Sequence, residues 1–279
     1  LNEIYNDLIS PNQMIRLLQG DVGSGKTIIA IISMIHAIDS GYQVAMMVPT
    51  SILANQHYNN ISKLVSTVNN KIKVTLLTSK DKNKSRIEKI ESIKKGVSNI
   101  IIGTHSLIQD DIEYNSIGLL VIDEQHKFGV LQRLAFTNKG KKPSLLVMSA
   151  TPIPRTLSLA LYGDMDQSRL TEKPIGRKEI ITKSLSIDKE DKLIERLIKK
   201  LKSKEKAYWV CPLIEESEEI DLKAAKERYE ILREKIEGEV LLLHGRMKEE
   251  EKFEIMEKFK YEDYKVLVTT TVIEVGIDI

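Results

Sequence analysis

Eight residues near the start of the chain, Gly20-Asp21-Val22-Gly23-Ser24-Gly25-Lys26-Thr27, have the types and spacing of a phosphate-binding loop. They satisfy G-x-x-x-x-G-K-[ST] at every fixed position. Glycines let the backbone curl so that successive N–H groups aim at one anion, and a helix start adds partial positive charge. In that chemistry Lys26 reaches the β- and γ-phosphates and the Thr27 hydroxyl meets Mg²⁺. An apolar run, Ile15–Leu18, enters the loop and a helical run, Thr27–Ile38, leaves it. A glycine-rich turn that matches by chance is the plain alternative, and the flanking strand and helix argue against it.

A second constellation, Leu119-Leu120-Val121-Ile122-Asp123-Glu124, is an apolar strand ending in two carboxylates. Ligands of open α/β sheets gather at the C-terminal strand ends, which predicts Asp123 beside the loop. There Asp123 would share Mg²⁺ with Thr27, and Glu124 would orient and deprotonate an attacking water. An Asp-Glu pair alone reads as a charged turn; joined to the phosphate loop it reads as catalysis. Gln125 and His126 follow at once, where a histidine either senses a γ-phosphate or is structural. Ser149-Ala150-Thr151-Pro152 ends another apolar run, Leu145–Met148, and its hydroxyls are placed to bridge the carboxylates to the other half of the chain. Thr50 follows Val48-Pro49, and Thr104-His105 follows Ile101-Ile102-Gly103. Hydroxyls and N–H groups at strand ends are typical contacts to a nucleic-acid backbone. Aromatic residues make up only 5%, which favours backbone tracking over a base-stacking platform.

These residues need a scaffold, and short β-branched runs alternate with helical patterns throughout. Strands are expected at Ile15–Leu18, Val44–Val48, Val74–Leu77, Asn99–Ile102, Leu119–Ile122 and Leu145–Met148. Others are expected at Ile180–Leu185, Ala207–Cys211, Val240–Leu243 and Val266–Val268. Most are continuously apolar, as strands covered on both faces are. Leu193, Ile194, Leu197, Ile198 and Leu201 mark a helix within Asp188–Ser203. Leu222, Ala225, Tyr229, Leu232 and Ile236 mark another within Asp221–Glu237. Strand–helix alternation implies right-handed units and a mainly parallel sheet. The polar stretch Thr171–Gly176, holding Pro174, is the expected seam between two α/β lobes, 1–172 and 173–279.

The bulk numbers agree. A chain of 279 residues suffices for two domains, and 42% hydrophobic with 29% charged residues describes a folded protein. The net charge of +2 announces no basic field, although a nearly neutral protein can carry a local basic groove. The single cysteine, Cys211, forbids an internal disulfide, suits a reducing compartment and reads as buried filler. The longest apolar stretch, Ile28–Ile38, is broken by Ser33 and His36 and is too short for a membrane span. No leader is evident at the start. An opening on Leu1 and an end at Ile279 inside structured sequence lead us to expect a piece of a longer protein.

Taken in order, Gly20–Thr27, Pro49-Thr50, Thr104-His105, Asp123-Glu124-Gln125-His126 and Ser149-Ala150-Thr151 resemble the successive motifs of superfamily 2 helicases. Leu243-His244-Gly245-Arg246-Met247 and Val268–Asp278 continue the series, the latter resembling the fifth motif. Longer strings narrow the resemblance to the RecG family of bacterial ATP-dependent DNA helicases, which remodel stalled forks and Holliday junctions. They are Gln19–Thr27, Asp123–Val130, Thr151-Pro152-Ile153-Pro154-Arg155-Thr156-Leu157 and Tyr208–Ser217. Transcription-repair coupling factors share the Thr-Pro-Ile-Pro-Arg run but usually carry Glu where this chain has Gln125.

The resemblance implies an α/β protein of two RecA-like lobes with mainly parallel sheets, the second incomplete. It implies a monomeric motor using ATP and Mg²⁺ on branched or double-stranded DNA, in the bacterial cytoplasm at the nucleoid and away from membranes. Lys26 and Thr27 would hold phosphate and metal within the cradle of Gly20, Asp21, Val22, Gly23, Ser24 and Gly25. Asp123 would be the metal carboxylate and Glu124 the base. Gln125, His126, Ser149 and Thr151 would couple nucleotide state to lobe movement. Thr50, Thr104, His105 and Thr270 would touch the DNA backbone, and Gly276 with Asp278 would face the nucleotide from the second lobe. Arg155 and Arg246 are expected at DNA or the opposite lobe.

Against that family's pattern the chain lacks the wedge domain, the upstream adenine-recognising glutamine and the downstream coupling element. Gln13 lies too close to Gly20 for that glutamine and reads as a surface turn. The sixth-motif arginines are missing too, and arginine fingers contribute on the order of 10³–10⁵ in rate. A weak motor in isolation is therefore expected. Three other readings stand beside it: an ATP-binding module without motor activity, a translocase like the transcription-repair coupling factor, and a P-loop ATPase of transport or proteolysis.

Overall fold

Continuously apolar strands need cover on both faces, and a parallel sheet with helices on either side supplies it. The computed structural model describes residues 1–79, 81, 83–124, 136, 137, 139, 140, 142–151, 165–172, 180–201, 205–211, 218–236 and 239–270. The chain divides into two units, Leu1–Arg177 and Lys178–Ile279. Of the expected seam Thr171–Gly176, the part from Lys173 to Gly176 lies outside the described residues.

In the first unit, α1 (Asn2–Ile9) precedes β1 (Ile15–Gly20), α2 (Lys26–Asp39), β2 (Gln43–Met47), α3 (Ser51–Val68), β3 (Val74–Leu77) and α4 (Asn83–Lys94). Next come β4 (Ile100–Gly103), β5 (Ile117–Ile122), β6 (Ser144–Ser149) and β7 (Asp166–Leu170). The seven strands form one sheet in the order β3-β4-β2-β5-β6-β1-β7, every pair parallel. Successive side chains alternate between faces. Leu17, Ala45, Met47, Ile101, Leu120, Ile122 and Val147 join one buried cluster with Phe136 and Leu107. α2 packs against β1, β2 and β5, and α3 against β3 and β4. Each of these fully buried side chains contributes roughly 1.5–3 kcal/mol.

Two polar anchors fix the ends of this sheet. The buried Gln43 amide donates to the carbonyls of Ile93 at 3.0 Å and Ser98 at 2.7 Å. Its oxygen accepts from the N–H groups of Asn115 at 2.8 Å and Ser116 at 3.2 Å, so β2 starts in a satisfied socket. Arg16, buried on β1, pairs with Asp7 at 2.6 Å and Glu3 at 3.2 Å of α1, and donates to Ser168 of β7 at 2.9 Å. β7 is a polar edge strand without the apolar run that marks the others, and Arg16 with the β1 ladder holds it in place.

In the second unit, α5 (Glu190–Leu201), β8 (Ala207–Val210), α6 (Glu218–Lys235), β9 (Val240–Leu243), α7 (Glu249–Tyr261) and β10 (Val266–Thr269) follow in order. The strands form a parallel sheet in the order β8-β10-β9. Ile194 and Leu201 of α5 and Leu232 of α6 meet Val240, Val266 and Val268, with Ile236 beyond the end of α6 closing the cluster. Ile180–Leu185, expected as a strand, is not one. Ile180 and Ile181 are 75% and 81% exposed, so the apolar run has no sheet to join.

Candidate functional site

β1 delivers Gly20 to the phosphate-type loop, and α2 begins at Lys26 with Gly25 as its N-cap at φ 94°. A side chain at Gly25 would be strained there, and a Cβ on Gly20 would fall 2.5 Å from Ser24 Oγ and 2.9 Å from Leu170 Cβ. The loop folds back on the sheet because both positions lack a side chain. Inside the curl the ammonium of Lys26 is buried and donates to the carbonyls of Gly20 at 2.7 Å and Asp21 at 3.0 Å. Burial pulls its pKa below the usual lysine value, while the nearby carboxylates of Asp123, Glu124 and Asp21 push it back up. Ser24 Oγ is buried and, among the described residues, has no hydrogen-bond partner. Asp21, Val22 and Gly23 are exposed, and Thr27 is half-buried in the first turn of α2.

Asp123 follows β5, and its N–H donates to the Met47 carbonyl at 3.0 Å, continuing the ladder to β2. Its buried carboxylate is held twice. Oδ2 lies 3.0 Å from His57 Nε2, and Oδ1 accepts from the Glu124 N–H at 3.0 Å. In the tautomer that carries its proton on Nε2, His57 donates to this oxygen, since a carboxylate oxygen accepts. Glu124 stands at φ 49°, in the left-handed region, at a cost on the order of 1–3 kcal/mol for a side-chain-bearing residue. Such strain gathers where the fold must aim one group at a site.

β6 lies between β5 and β1, so its end spans the two halves of the site. The hydroxyls of Ser149 and Thr151 are 3.1 Å apart, and the Thr151 N–H donates to Ser149 Oγ at 3.2 Å. The Thr151 carbonyl accepts from Gln19 Nε2 at 3.0 Å, which ties it to the strand feeding the loop.

Thr50 is the N-cap of α3, with Oγ1 accepting from the Leu53 N–H at 3.3 Å and its own O–H left to donate. Thr104 is half-buried and precedes the 3₁₀ turn His105–Ile108, whose first residue is exposed. That turn is pinned by Ser106 Oγ, which donates to the Leu77 carbonyl at 2.7 Å. Gly103 allows the close approach, since a Cβ there would lie 2.2 Å from the same oxygen. Thr50, Thr104, His105 and Asp123 thus leave the C-terminal ends of three adjacent strands, β2, β4 and β5.

In the second unit, Arg246 is exposed and Thr270 buried, following the neighbouring strands β9 and β10. The Thr270 N–H donates to the Leu243 carbonyl at 3.4 Å. Burial depresses the pKa of His244, and Lys226, Lys252 and Arg246 depress it further. Cys211, half-buried after β8, is shifted upward by burial, as a structural thiol is. Gln13 lies exposed and donates to the Pro143 carbonyl at 2.7 Å. Gln125, His126, Arg155, Gly276 and Asp278 lie outside the described residues. Sequence reasoning missed His57 and Gln19; the one signal for His57 is a polar residue on the apolar face formed by Leu53, Ala54, Ile61 and Val65.

Residues 2–159 match the DEAD/DEAH box helicase family, and residues 188–279 match the helicase conserved C-terminal domain. The ATP-dependent DNA helicase RecG of Aquifex aeolicus (strain VF5) is 48% identical over 282 residues, covering 100% of this chain and 35% of that protein. The protein of the same name from Bacillus subtilis (strain 168) is 46% identical over 281 residues, covering 100% of this chain and 41% of that protein. The chain therefore spans about two fifths or less of the relatives' length. A solved structure of RecG bound to a three-way DNA junction matches with a TM-score of 0.77 at 43% identity, covering 99% of this chain and 36% of that one. Dbp5 of S. cerevisiae bound to RNA and ADP BeF3 matches with a TM-score of 0.70 at 20% identity, covering 99% and 71%, which reflects a shared fold. By the first of these matches, which takes in more than half of its residues, the chain belongs to the DEAD/DEAH box helicase family.

Proposed function

We propose that this chain is the motor core of an ATP-dependent DNA helicase that remodels branched DNA, with 1–172 and 173–279 as its two lobes. One observation carries the reading: the buried Lys26 lies in the field of Asp123 and Glu124, on the sheet edge from which Thr50 and Thr104 also emerge. Relatives named ATP-dependent DNA helicase RecG, one of them solved on a three-way junction, support branched DNA as the substrate.

Lys26 would exchange its two backbone carbonyls for phosphate oxygens, with Ser24 Oγ and the N-terminal N–H groups of α2 completing the cradle. Among the described residues no trio of His, Cys, Asp or Glu gathers to cage a metal. The donor set instead suits Mg²⁺, which takes one or two protein oxygens and fills its shell with phosphate and water. Asp123 and Thr27 would hold it, and when bound it neutralises phosphate charge. Glu124, fixed by its strained backbone, would orient the attacking water and take its proton. Gln125, His126, Ser149 and Thr151 would couple nucleotide state to lobe movement, and Gly276 with Asp278 would face the nucleotide from the second lobe. Thr50, Thr104, His105, Arg246 and Thr270 would hold the DNA backbone. A monomer acting at the bacterial nucleoid fits this reading. No described helix is long and apolar enough to cross a membrane.

The test is ATP hydrolysis by the intact protein with and without a model fork, with Lys26→Ala beside it. Fork-stimulated turnover that the variant abolishes is expected. Turnover indifferent to DNA would remove the remodelling role and leave the nucleotide site, and fork-stimulated turnover in the variant would overturn the site itself.

A further inference from the structure

We infer that His57 is a positioning residue that sets how tightly the site holds its divalent cation, and that α3 carries DNA engagement to that cation. The inference rests on the proposed function above and deepens it. His57 lies on the core face of α3 and is only 7% exposed. Burying an imidazole edge is unfavourable unless it is hydrogen-bonded, and an aliphatic residue would fill that place more cheaply. The side chain that satisfies it is Asp123, at 3.0 Å. With Oδ1 bound to the Glu124 N–H and Oδ2 to His57, rotating the carboxylate would break two hydrogen bonds. Each oxygen keeps a lone pair for a cation, and partners that hold a ligating carboxylate from behind are the arrangement that raises metal affinity.

The same helix begins at the expected DNA contact. Thr50 caps α3, and His57 lies two turns further on, about 10 Å along the axis. Leu53, Ala54, Ile61 and Val65 bury the face between and beyond them, so α3 moves as a rod instead of flexing. A phosphate drawn to the N-terminus of α3 pulls on that rod. A shift of about 0.5 Å carries a 3.0 Å contact to the limit of a hydrogen bond, so small displacements at Thr50 are read at Asp123. The path is a continuous physical one, from backbone phosphate through capped helix and imidazole to carboxylate.

His57→Ala and His57→Gln in the intact protein test this. The glutamine keeps an N–H donor near Asp123 without the ring. A fluorescent ATP analogue is titrated with and without Mg²⁺, then hydrolysis is measured with and without a model fork. His57→Ala should bind the metal-free analogue and the fork as the wild type does, yet need roughly 10-fold more Mg²⁺ for half-saturation. It should lose most of the stimulation by the fork, and His57→Gln should regain most of both. A wild-type Mg²⁺ requirement with full stimulation in His57→Ala overturns the inference. So do equal defects in both variants accompanied by lost metal-free binding, which mark a packing role. A wild type indifferent to the fork overturns the motor reading and the DNA half of this one, and the Mg²⁺ requirement then decides on His57 alone.

Discussion

Replacing Gly103 by alanine should damage the first unit more than the same change at Gly118, although both Cβ atoms would meet an obstacle. At Gly103 the new Cβ lies 2.2 Å from the Leu77 carbonyl oxygen and 3.0 Å from the Leu107 side chain. An ordinary contact needs about 3.4 Å or more, so the β3–β4 seam must open by about 1.2 Å. Neither neighbour can turn aside, because one is backbone in register with Gly103 and the other is buried. Overpacking of this kind costs about 1–3 kcal/mol, and straining the Ser106 bond to the same oxygen adds about 1 kcal/mol. A loss of about 3 kcal/mol lowers the midpoint by roughly 6–12 °C in a unit of this size. At Gly118 the obstacle is Tyr42, with Cγ at 2.5 Å and Cβ at 2.7 Å, so the backbone that carries it must shift too. Tyr42, however, is 47% exposed and follows the Ser40–Gly41 turn outside the sheet. The entropy removed from the unfolded chain, about 0.4–1 kcal/mol, offsets part of that shift, so Gly118→Ala should lose less stability than Gly103→Ala. Unfolding followed by far-UV circular dichroism measures both variants. Trp209, the single tryptophan, lies in the second unit and serves as an internal reference. Equal losses at the two positions, or none at Gly103, would refute the reasoning. Because the same turn carries Thr104, Gly103→Ala should also weaken fork binding.

Lys26→Met keeps the aliphatic stem while removing a buried charge, so the fold should survive with a thermal midpoint close to the wild type. Charge-assisted bonds are worth about 1.5–3 kcal/mol, so calorimetric titration should show ATP bound roughly 10- to 100-fold more weakly; unchanged affinity would contradict the cradle. His244 gives a pH dependence with a definite sign. Burial and three cations lower its folded pKa below the ordinary 6.5, so the unfolded chain takes up the proton first as pH falls. Its contribution is complete above about pH 6.5 and is lost below it. The Trp209-reported midpoint should fall more between pH 7.5 and 5.5 in the wild type than in His244→Gln, and a smaller fall in the wild type would refute the assignment.

What the sequence shows directly is what short spacing controls. The loop from Gly20 to Thr27 is contiguous, and the central strands announce themselves as apolar runs because helices cover both faces. β7 escaped notice because an edge strand does not need an apolar run. Asp166-Gln167-Ser168-Arg169-Leu170 is a strand through its pairing with β1 and through Arg16. Ile180–Leu185 misled for the converse reason: β-branched residues favour a strand only where a neighbour stands ready, and none does. The His57–Asp123 contact joins residues 66 apart, across two adjacent strands and a helix. No local pattern encodes it; strand order does.

The strand order has a consequence for how the protein comes into being. β1 is the first of these seven strands to leave the ribosome, yet both its partners, β6 and β7, lie at the far end of the unit. About 130 residues must follow Gly20 before Ser149 appears, which at 5–20 residues per second is roughly 6–26 s of translation. Throughout that interval β2, β4 and β5 can assemble, while the strand that bears the loop has nowhere to dock. On the proposed function, nucleotide capture during synthesis would follow the docking of β1 on β6, and a translational pause placed before β6 should delay it without delaying collapse of the earlier strands.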